Sequence, residues 1–504
     1  MTFREKFLLI ALLAVALFVR VFGIGQHSLF SDELIWMVRG KGLFFAVKQF
    51  NYNFFESGWW LDKTTTEPLG LPMALLGGTM LVLFSPGQSR LSLGVLNEIV
   101  AARLPAAIIS SFFIVAYYFL LKKFVGKKVA LIASILLLFD PVFLGVSRWF
   151  HQDLMLTVSS FLALILFVRS SSWKSLAVSS FFASLAILTK PHGILVVVTL
   201  LFYSLVSESK KRKREFIKFL KWGAIVSAFT IGLFPFLWKN PVFQILLYWQ
   251  TQAQVVSRGQ PMNFLGQIVA KPAWYYYLVI FPFHVPETIL MGILAGGIGF
   301  FSKIKKRLLK IKPFVAISLI YSFLLFITVS WAGRKLGIRY LVPIWPYVYL
   351  LASFGLLRVS RLFSGSWQKI YWLLIFGVLL IEMVKFYPSY YLFHNYLISS
   401  KKYQRMESVG FCDGIKPSME YLRPKLYENA KVLFFDCNAS ADYYTGYTLK
   451  HVHLLKDEPV FVVVEPYSSQ KFPDFEPSLE KNGYRLIKNI EFRGILLANI
   501  YEKG

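Results

Sequence analysis

Asp32 and Glu33 stand side by side in the segment HSLFSDELIW, a few residues past the first apolar run of the chain. A carboxylate at the depth where a membrane interface meets water can take a proton from an acceptor hydroxyl, acting as a general base. In that reading Asp32 is the base and Glu33 orients it or the acceptor. Two like charges this close can also raise one pKa, which suits a base or a held proton. The same pair could instead be solvated loop acids or a helix start with Ser31 or Asp32 as N-cap.

Two further groups carry charge of the right kind. Arg148, His151 and Asp153 lie within SRWFHQDLML. Asp153 reads as an acid that orients substrate or organises the site, and Arg148 as its ion-pair partner or a phosphate contact. His151 and Asp153 could orient one another or hold a metal, but without a third ligand of known position they make no metal site. In GRKLGIRYLVPIWP, Arg334, Lys335 and Arg339 form a basic group just past an apolar run. Arginine suits bidentate contact with phosphate and lysine supplies a mobile point charge. Cations at a helix end can equally snorkel to the interface. Lys190 and His192 in TKPHG, with Lys63 and Glu67, complete the candidates.

The elements that must position these residues are membrane helices. Of 504 residues 56% are apolar and 16% charged, with a mean hydropathy of +0.54, and apolar stretches near the ~20 residues that span a bilayer recur to about residue 387. We place eleven spans, near 7–25, 99–121, 128–145, 154–169, 174–189, 192–207, 220–238, 277–300, 313–331, 340–357 and 370–387. The formal charge of +28 would suggest nucleic acid in a soluble chain. Here the basic residues cluster in short loops, where the positive-inside bias puts them beside anionic lipid, so no nucleic-acid partner is expected.

Alternation from a cytoplasmic N-terminus puts KKFVGKK, RSSSWK, SKKRKREFIKFLK, KIKKRLLKIK and RVSRLFSGSWQK on one side. The other side receives long loops at 26–98 and 239–276 and the tail after 388, and with them Asp32, Glu33, Asp62, Glu67, Asp153 and Glu287. Acids gathered on one face argue for a site there; an ion pathway would need ionisable groups deep in the spans. The runs at 71–84 and 240–249 suit helices lying in the interface, with a re-entrant or short spanning helix as the rival for 71–84. Past residue 390 the β-like runs KVLFFD, PVFVVVE and GILLANIY predict a small α/β domain over 391–504, after a transmembrane domain over 1–390. Cys412 and Cys437, the only cysteines, could pair or remain thiols.

The ordered series of elements resembles the GT-C glycosyltransferases, especially the protein O-mannosyltransferase and lipid A aminoarabinose transferase branches. It comprises the Asp-Glu pair, TTTEPLGLP at 64–72, LPAAIIS at 104–110 preceded by Arg103, SRWFHQDLML at 147–156, LTKPHG at 188–193, GRKLGIRYLVPIWP at 333–346 and FYPSYYLFHN at 386–395. The resemblance implies an all-α transmembrane domain with interface helices, an extracytoplasmic site, and a polyprenyl-phosphate sugar as donor. It implies transfer, with inversion, to a protein hydroxyl, lipid or cell-envelope glycan at the plasma membrane. Thr-Glu-Pro-Leu departs from the Lys-Pro-Pro-Leu and His-Pro-Pro-Leu of the two branches, so neither acceptor carries over, nor does the metal of some relatives. A lipid-linked sugar flippase is the alternative. The topology is testable: Asp32→Cys is expected to react with an impermeant maleimide added outside the cell, and labelling only from inside would overturn it.

Overall fold

The computed structural model describes residues 2–504 except 31, 52–69, 88–92, 305–311, 410, 427–429, 436, 438–442, 444–449, 452–454, 456 and 457. Lys63, Glu67, Asp62 and Pro68 lie outside the described residues. The bundle comprises α1 (Phe3–Val21), α2 (Glu33–Lys48), α3 (Leu71–Phe84), α4 (Glu98–Val125), α5 (Lys127–Phe139), α6 (Pro141–Val146), α7 (Gln152–Arg169), α8 (Trp173–Thr189), α9 (Leu195–Val206), α10 (Ser209–Leu233) and α11 (Pro241–Arg258). A two-stranded ribbon, β1 (Met262–Phe264) and β2 (Gln267–Val269), follows, then α12 (Tyr276–Ile280), α13 (Glu287–Ile304), α14 (Pro313–Trp331), α15 (Trp345–Ser360) and α16 (Gly365–Lys385).

Among the described residues six stretches are long and apolar enough to cross a membrane: 98–125, 152–169, 209–233, 313–331, 338–360 and 365–385. Shorter apolar helices cover 71–84, 173–189, 191–206 and 287–299. An α7 of 18 residues is about 27 Å long, close to the hydrocarbon thickness. Large apolar side chains face outward along the bundle, among them Phe18, Phe112, Phe323 and Leu373. The interior of the same bundle holds small and hydroxylated residues such as Ser110, Ser134, Ser180 and Ser184, whose hydroxyls return to helix carbonyls. Such residues let helices approach closely in lipid.

Proline changes two of the expected spans. The 128–145 run breaks at Asp140, whose side chain caps α6 through the Phe143 amide at 2.6 Å, with Pro141 at the first position of the new helix. The 277–300 run is interrupted between α12 and Glu287, a stretch that contains Pro282 and Pro286, where proline removes a backbone donor. Helix α3 is no lone surface helix: seven of its residues are buried, and Gly78 lies against Gly40 of α2. Helix α11 keeps Val242, Phe243, Leu246 and Trp249 exposed, as an interface helix would.

After α17 (Ser400–Met406) and α18 (Ile415–Leu422) the chain forms a five-stranded sheet in the order β4-β3-β5-β7-β6, built from β3 (Lys431–Phe435), β4 (Lys450–His451), β5 (Phe461–Val464), β6 (Tyr484–Phe492) and β7 (Ile495–Lys503). β3 runs parallel to β4 and β5, and β7 antiparallel to β5 and β6. Cys412 and Cys437 are joined as a disulfide.

Gly78→Ala drives a methyl group into the Gly40 carbonyl. Overpacking of this kind costs about 1–3 kcal/mol. A lower melting temperature in detergent is the expected outcome, with Gly377→Ala, which has nothing within 4 Å, as the control for added side-chain bulk.

Candidate active site

Helices α7 and α8 are antiparallel neighbours joined by the short link 170–172. Asp153 in the first turn of α7 therefore meets Lys190, the residue that ends α8: their Nζ and Oδ1 lie 2.5 Å apart, both buried. His151, just ahead of α7, sets its Nδ1 2.8 Å from the other Asp153 oxygen and its Nε2 3.7 Å from Asp32. Arg339, in the 3-10 turn Ile338–Ile344 that leads into α15, places Nη2 3.9 Å from the same Asp32 oxygen. Asp32, His151, Asp153, Lys190 and Arg339 thus form one chain of charge drawn from four parts of the sequence.

The Asp-Glu pair divides. Glu33 is 1% exposed and spends both oxygens inward. Oε1 accepts from Arg103 Nε and the Phe150 amide, both at 2.8 Å, and Oε2 accepts from Arg103 Nη2 at 2.6 Å and the Phe30 amide at 2.8 Å. Asp32 keeps a side chain 40% exposed and, among the described residues, makes only the longer contacts to His151 and Arg339.

The expected rise in a pKa does not occur. Burial pushes the Asp32 carboxyl up, but the contact with His151 and the charge of Arg339 outweigh it and hold the group below the usual carboxylate range. Burial also acts upward on Glu33, and the charge and hydrogen bonds of Arg103 reverse it. Each acid faces its own cations instead of its neighbour.

The basic candidates divide too. Arg339 is 3% exposed; its Nε and Nη1 have no hydrogen-bond partner among the described residues, and its guanidinium lies 4.9 Å from the centre of the Phe30 ring. Arg334 donates Nε to Gln260 at 2.9 Å. Lys335 does not reach the cluster: its ammonium is tied to the carbonyls of Ala332 at 2.6 Å and Pro272 at 2.8 Å. Neither does Arg148 pair with Asp153. It binds the carbonyls of Val19, Phe22 and Gly23 at 2.8–2.9 Å, closing the C-terminal end of α1.

A cavity of about 470 Å³ is lined by Lys190, His192, Arg334, Tyr340 and Trp249 among others. It shares Pro191, Ile194 and Trp249 with a second, largely apolar cavity of about 530 Å³ between α8, α9, α10 and α11. The sequence hid this apolar cavity, because four helices each contribute one face of it. Tyr340, whose ring lies 4.8 Å from Lys190 Nζ, and Arg103 also escaped the list of site candidates, Arg103 having been noted only as a residue before a span.

With this geometry in hand, the comparisons are informative. The family model described as dolichyl-phosphate-mannose-protein mannosyltransferase matches residues 90–238. The structure of ArnT from Cupriavidus metallidurans bound to undecaprenyl phosphate superposes with a TM-score of 0.55 over 98% of this chain and 97% of that one, at 15% identity. The chain shares that fold over nearly its whole length. The archaeal oligosaccharyltransferase AglB from Archaeoglobus fulgidus, in complex with an inhibitory peptide and a dolichol phosphate, gives 0.52 over 96% of this chain and 73% of that one, at 12% identity. No curated relative matches the sequence significantly. The resemblance read from the motifs and the likeness of the folds agree, and the apolar helices make the chain a multi-pass membrane protein.

Another structure of the Archaeoglobus fulgidus oligosaccharyltransferase is a complex with Zn and sulfate, at 12% identity and a TM-score of 0.50 over 97% of this chain and 72% of that one. The described residues of this chain do not fit a resident metal at the cluster. Asp153 is taken by Lys190 and His151, and Glu33 by Arg103. Among the described residues the one group of three potential ligands is Cys412, Cys437 and Glu465, and its sulfurs are committed to the disulfide.

Two outcomes follow. Glu33→Gln leaves a buried Arg103 with its countercharge removed and is expected to cost about 3–5 kcal/mol of stability, read as a lower melting temperature; Asp32→Asn is expected to leave it unchanged. Because the folded pKa of Asp32 is depressed, its charge is present above its free value of about 3.9 and persists as pH falls through that value. A pH titration of Asp32 by carboxyl NMR is expected to show no step between about pH 4 and 8.

Proposed function

We propose that the chain is a membrane glycosyltransferase that moves a sugar from a polyprenyl-phosphate donor to an extracytoplasmic acceptor, with inversion at the anomeric carbon. The observation that carries this is Arg339: a buried guanidinium whose Nε and Nη1 have no hydrogen-bond partner among the described residues, beside a partly exposed carboxylate. A buried cation with open donors is built for an anion that arrives with the substrate. Two neighbouring cavities, both mostly apolar, offer room for the lipid end of such a donor, the nearer one carrying Lys190 and Arg334 on its wall.

In this reaction the acceptor oxygen attacks the anomeric carbon while the bond from that carbon to the phosphate oxygen breaks. The electron pair leaves with the polyprenyl phosphate, whose charge Arg339 and Lys190 stabilise, with Arg334 at the nearer cavity's wall. Asp32 accepts the acceptor's proton. A carboxylate held this low is a weak base, so its first task is to orient the hydroxyl, and it takes the proton late. His151 and Asp153 hold Asp32 and Lys190 in register as positioning residues, and Glu33 anchors the loop. Retention would need a second free carboxylate as nucleophile. Among the described residues of the cluster, Asp153 and Glu33 are both committed to cations, which favours single displacement. We assign Arg148 and Lys335 structural tasks, and keep Lys63 and Glu67 as candidates for acceptor or donor contacts.

The same reading includes eleven spans with the N-terminus in the cytoplasm, a transmembrane domain over 1–390 and an extracytoplasmic α/β domain over 391–504, in the plasma membrane. Acceptor classes remain protein hydroxyl, lipid and envelope glycan. Purified protein incubated with a panel of polyprenyl-phosphate sugars is expected to turn over at least one of them. Asp32→Asn is expected to lower the rate by about 10²–10⁴-fold with donor affinity unchanged, and Arg339→Gln to weaken binding of undecaprenyl phosphate by about 10-fold or more. Absence of turnover with every donor, with wild type and Asp32→Asn alike, would reject the enzyme.

A further inference from the structure

Among the described residues the Asp32 carboxylate makes no short contact of its own, so the backbone before it must set its position. That backbone, residues 24–30, is held from two sides. On the bundle side Arg103 donates to the carbonyls of Ile24 and Ser28 at 2.8 Å and of His27 at 3.2 Å. On the opposite side stands a loop of the C-terminal domain. Asp413 Oδ1 lies 2.9 Å from His27 Nε2, both side chains being at most 5% exposed. The Asp413 carbonyl accepts the Ser28 hydroxyl at 2.7 Å, Lys416 reaches the Gln26 carbonyl at 2.7 Å, and the Phe411 ring packs 5.6 Å from Phe30. The other ring nitrogen of His27 sits 2.7 Å from the Ser28 carbonyl, so both nitrogens face acceptors.

The Asp413 loop is fixed in turn. Glu465, at the end of β5, accepts the amides of Cys412 at 2.7 Å and Gly414 at 2.6 Å, the residues on either side of Asp413. Cys412 is bonded to Cys437, just past β3. Each end of the contact is therefore built into a rigid element: His27 through Arg103 into α4, and Asp413 through Glu465 and the disulfide into the sheet.

We infer that Asp413 and His27 are positioning residues for the transfer, and that the C-terminal domain is a clamp that holds the loop bearing Asp32 at its working geometry. This rests on Asp32 being the reactive carboxylate. Misplacement of a reacting group by about 1 Å costs on the order of 10²-fold in rate, so a loosened clamp lowers turnover without touching the donor's phosphate contacts. Reduction of the disulfide, with two thiols formed at the expense of a dithiol reagent such as dithiothreitol, frees one anchor of the Asp413 loop and acts in the same direction.

The test uses the full-length protein in nanodiscs, with Asp413→Ala, Asp413→Asn and wild type with and without dithiothreitol. Amide exchange over residues 24–33 and steady-state kinetics are read together. Asp413→Ala is expected to speed exchange in that segment and lower kcat at least tenfold, with KM for the donor within twofold and an unchanged melting temperature. Asp413→Asn, which keeps an oxygen facing His27, is expected to restore most of kcat, and dithiothreitol to fall between. Unchanged exchange and kcat in Asp413→Ala would overturn the clamp, as would faster exchange with full kcat or a parallel loss of kcat, donor affinity and melting temperature. Silence of the wild type would instead reject the transferase, and the exchange data would still show whether the clamp exists.

Discussion

A single buried ion pair organises the candidate site. Arg103 of α4 has five N–H donors and all five are used: two on Glu33 and three on the carbonyls of Ile24, His27 and Ser28. Glu33 in turn fills its acceptor positions with Arg103 and the amides of Phe30 and Phe150. Two charges taken out of water are tolerable only when every remaining polar site is satisfied in this way. The arrangement fixes the entry to α2, the turn before α7 and the loop between α1 and α2 at one point. Asp32 can therefore remain partly exposed, held by its backbone rather than by partners that would block its oxygens.

Around this anchor the charges sort by commitment. Asp153 and Lys190 neutralise one another across the α7–α8 pair, Lys335 and Arg148 are consumed by backbone carbonyls, and among the described residues Arg339 alone of the basic candidates is buried with two nitrogens unspent. Two mostly apolar cavities adjoin these charges, the nearer with Lys190, His192 and Arg334 on its wall. This grading from carboxylate to cation to hydrocarbon is what a lipid-linked phosphate sugar presents along its own length, with the acceptor side towards water.

The sequence was most legible where the solvent dictates the answer. Long apolar runs fold as helices near every predicted span, because lipid requires backbone groups to be satisfied within the segment; the edges moved where Pro141 and the Pro282–Pro286 stretch interrupt them. Residue types at the site were legible as well: Asp32, His151, Asp153, Lys190 and Arg339 were all candidates. Their pairing was not, since Asp153 meets Lys190 only because two helices run antiparallel. A cation at a helix end reads alike whether it awaits phosphate or caps carbonyls, which is why Arg148 and Lys335 stood beside Arg339. The division of Asp32 from Glu33 was hidden for a similar reason, as it depends on an arginine 70 residues away.

The central claim is that Glu33 builds the site and Asp32 works in it. The direct measurement is the rate per folded molecule of the Glu33→Gln protein, taken below its melting temperature with saturating donor. A turnover lowered by misplacement of Asp32 but at least about tenfold above that of Asp32→Asn is predicted, since glutamine retains the shape and an acceptor for one of the Phe30 and Phe150 amides while the chemistry stays on Asp32. A loss as deep as that of Asp32→Asn, in protein whose folded fraction is intact, would place the chemistry on Glu33 and contradict the account.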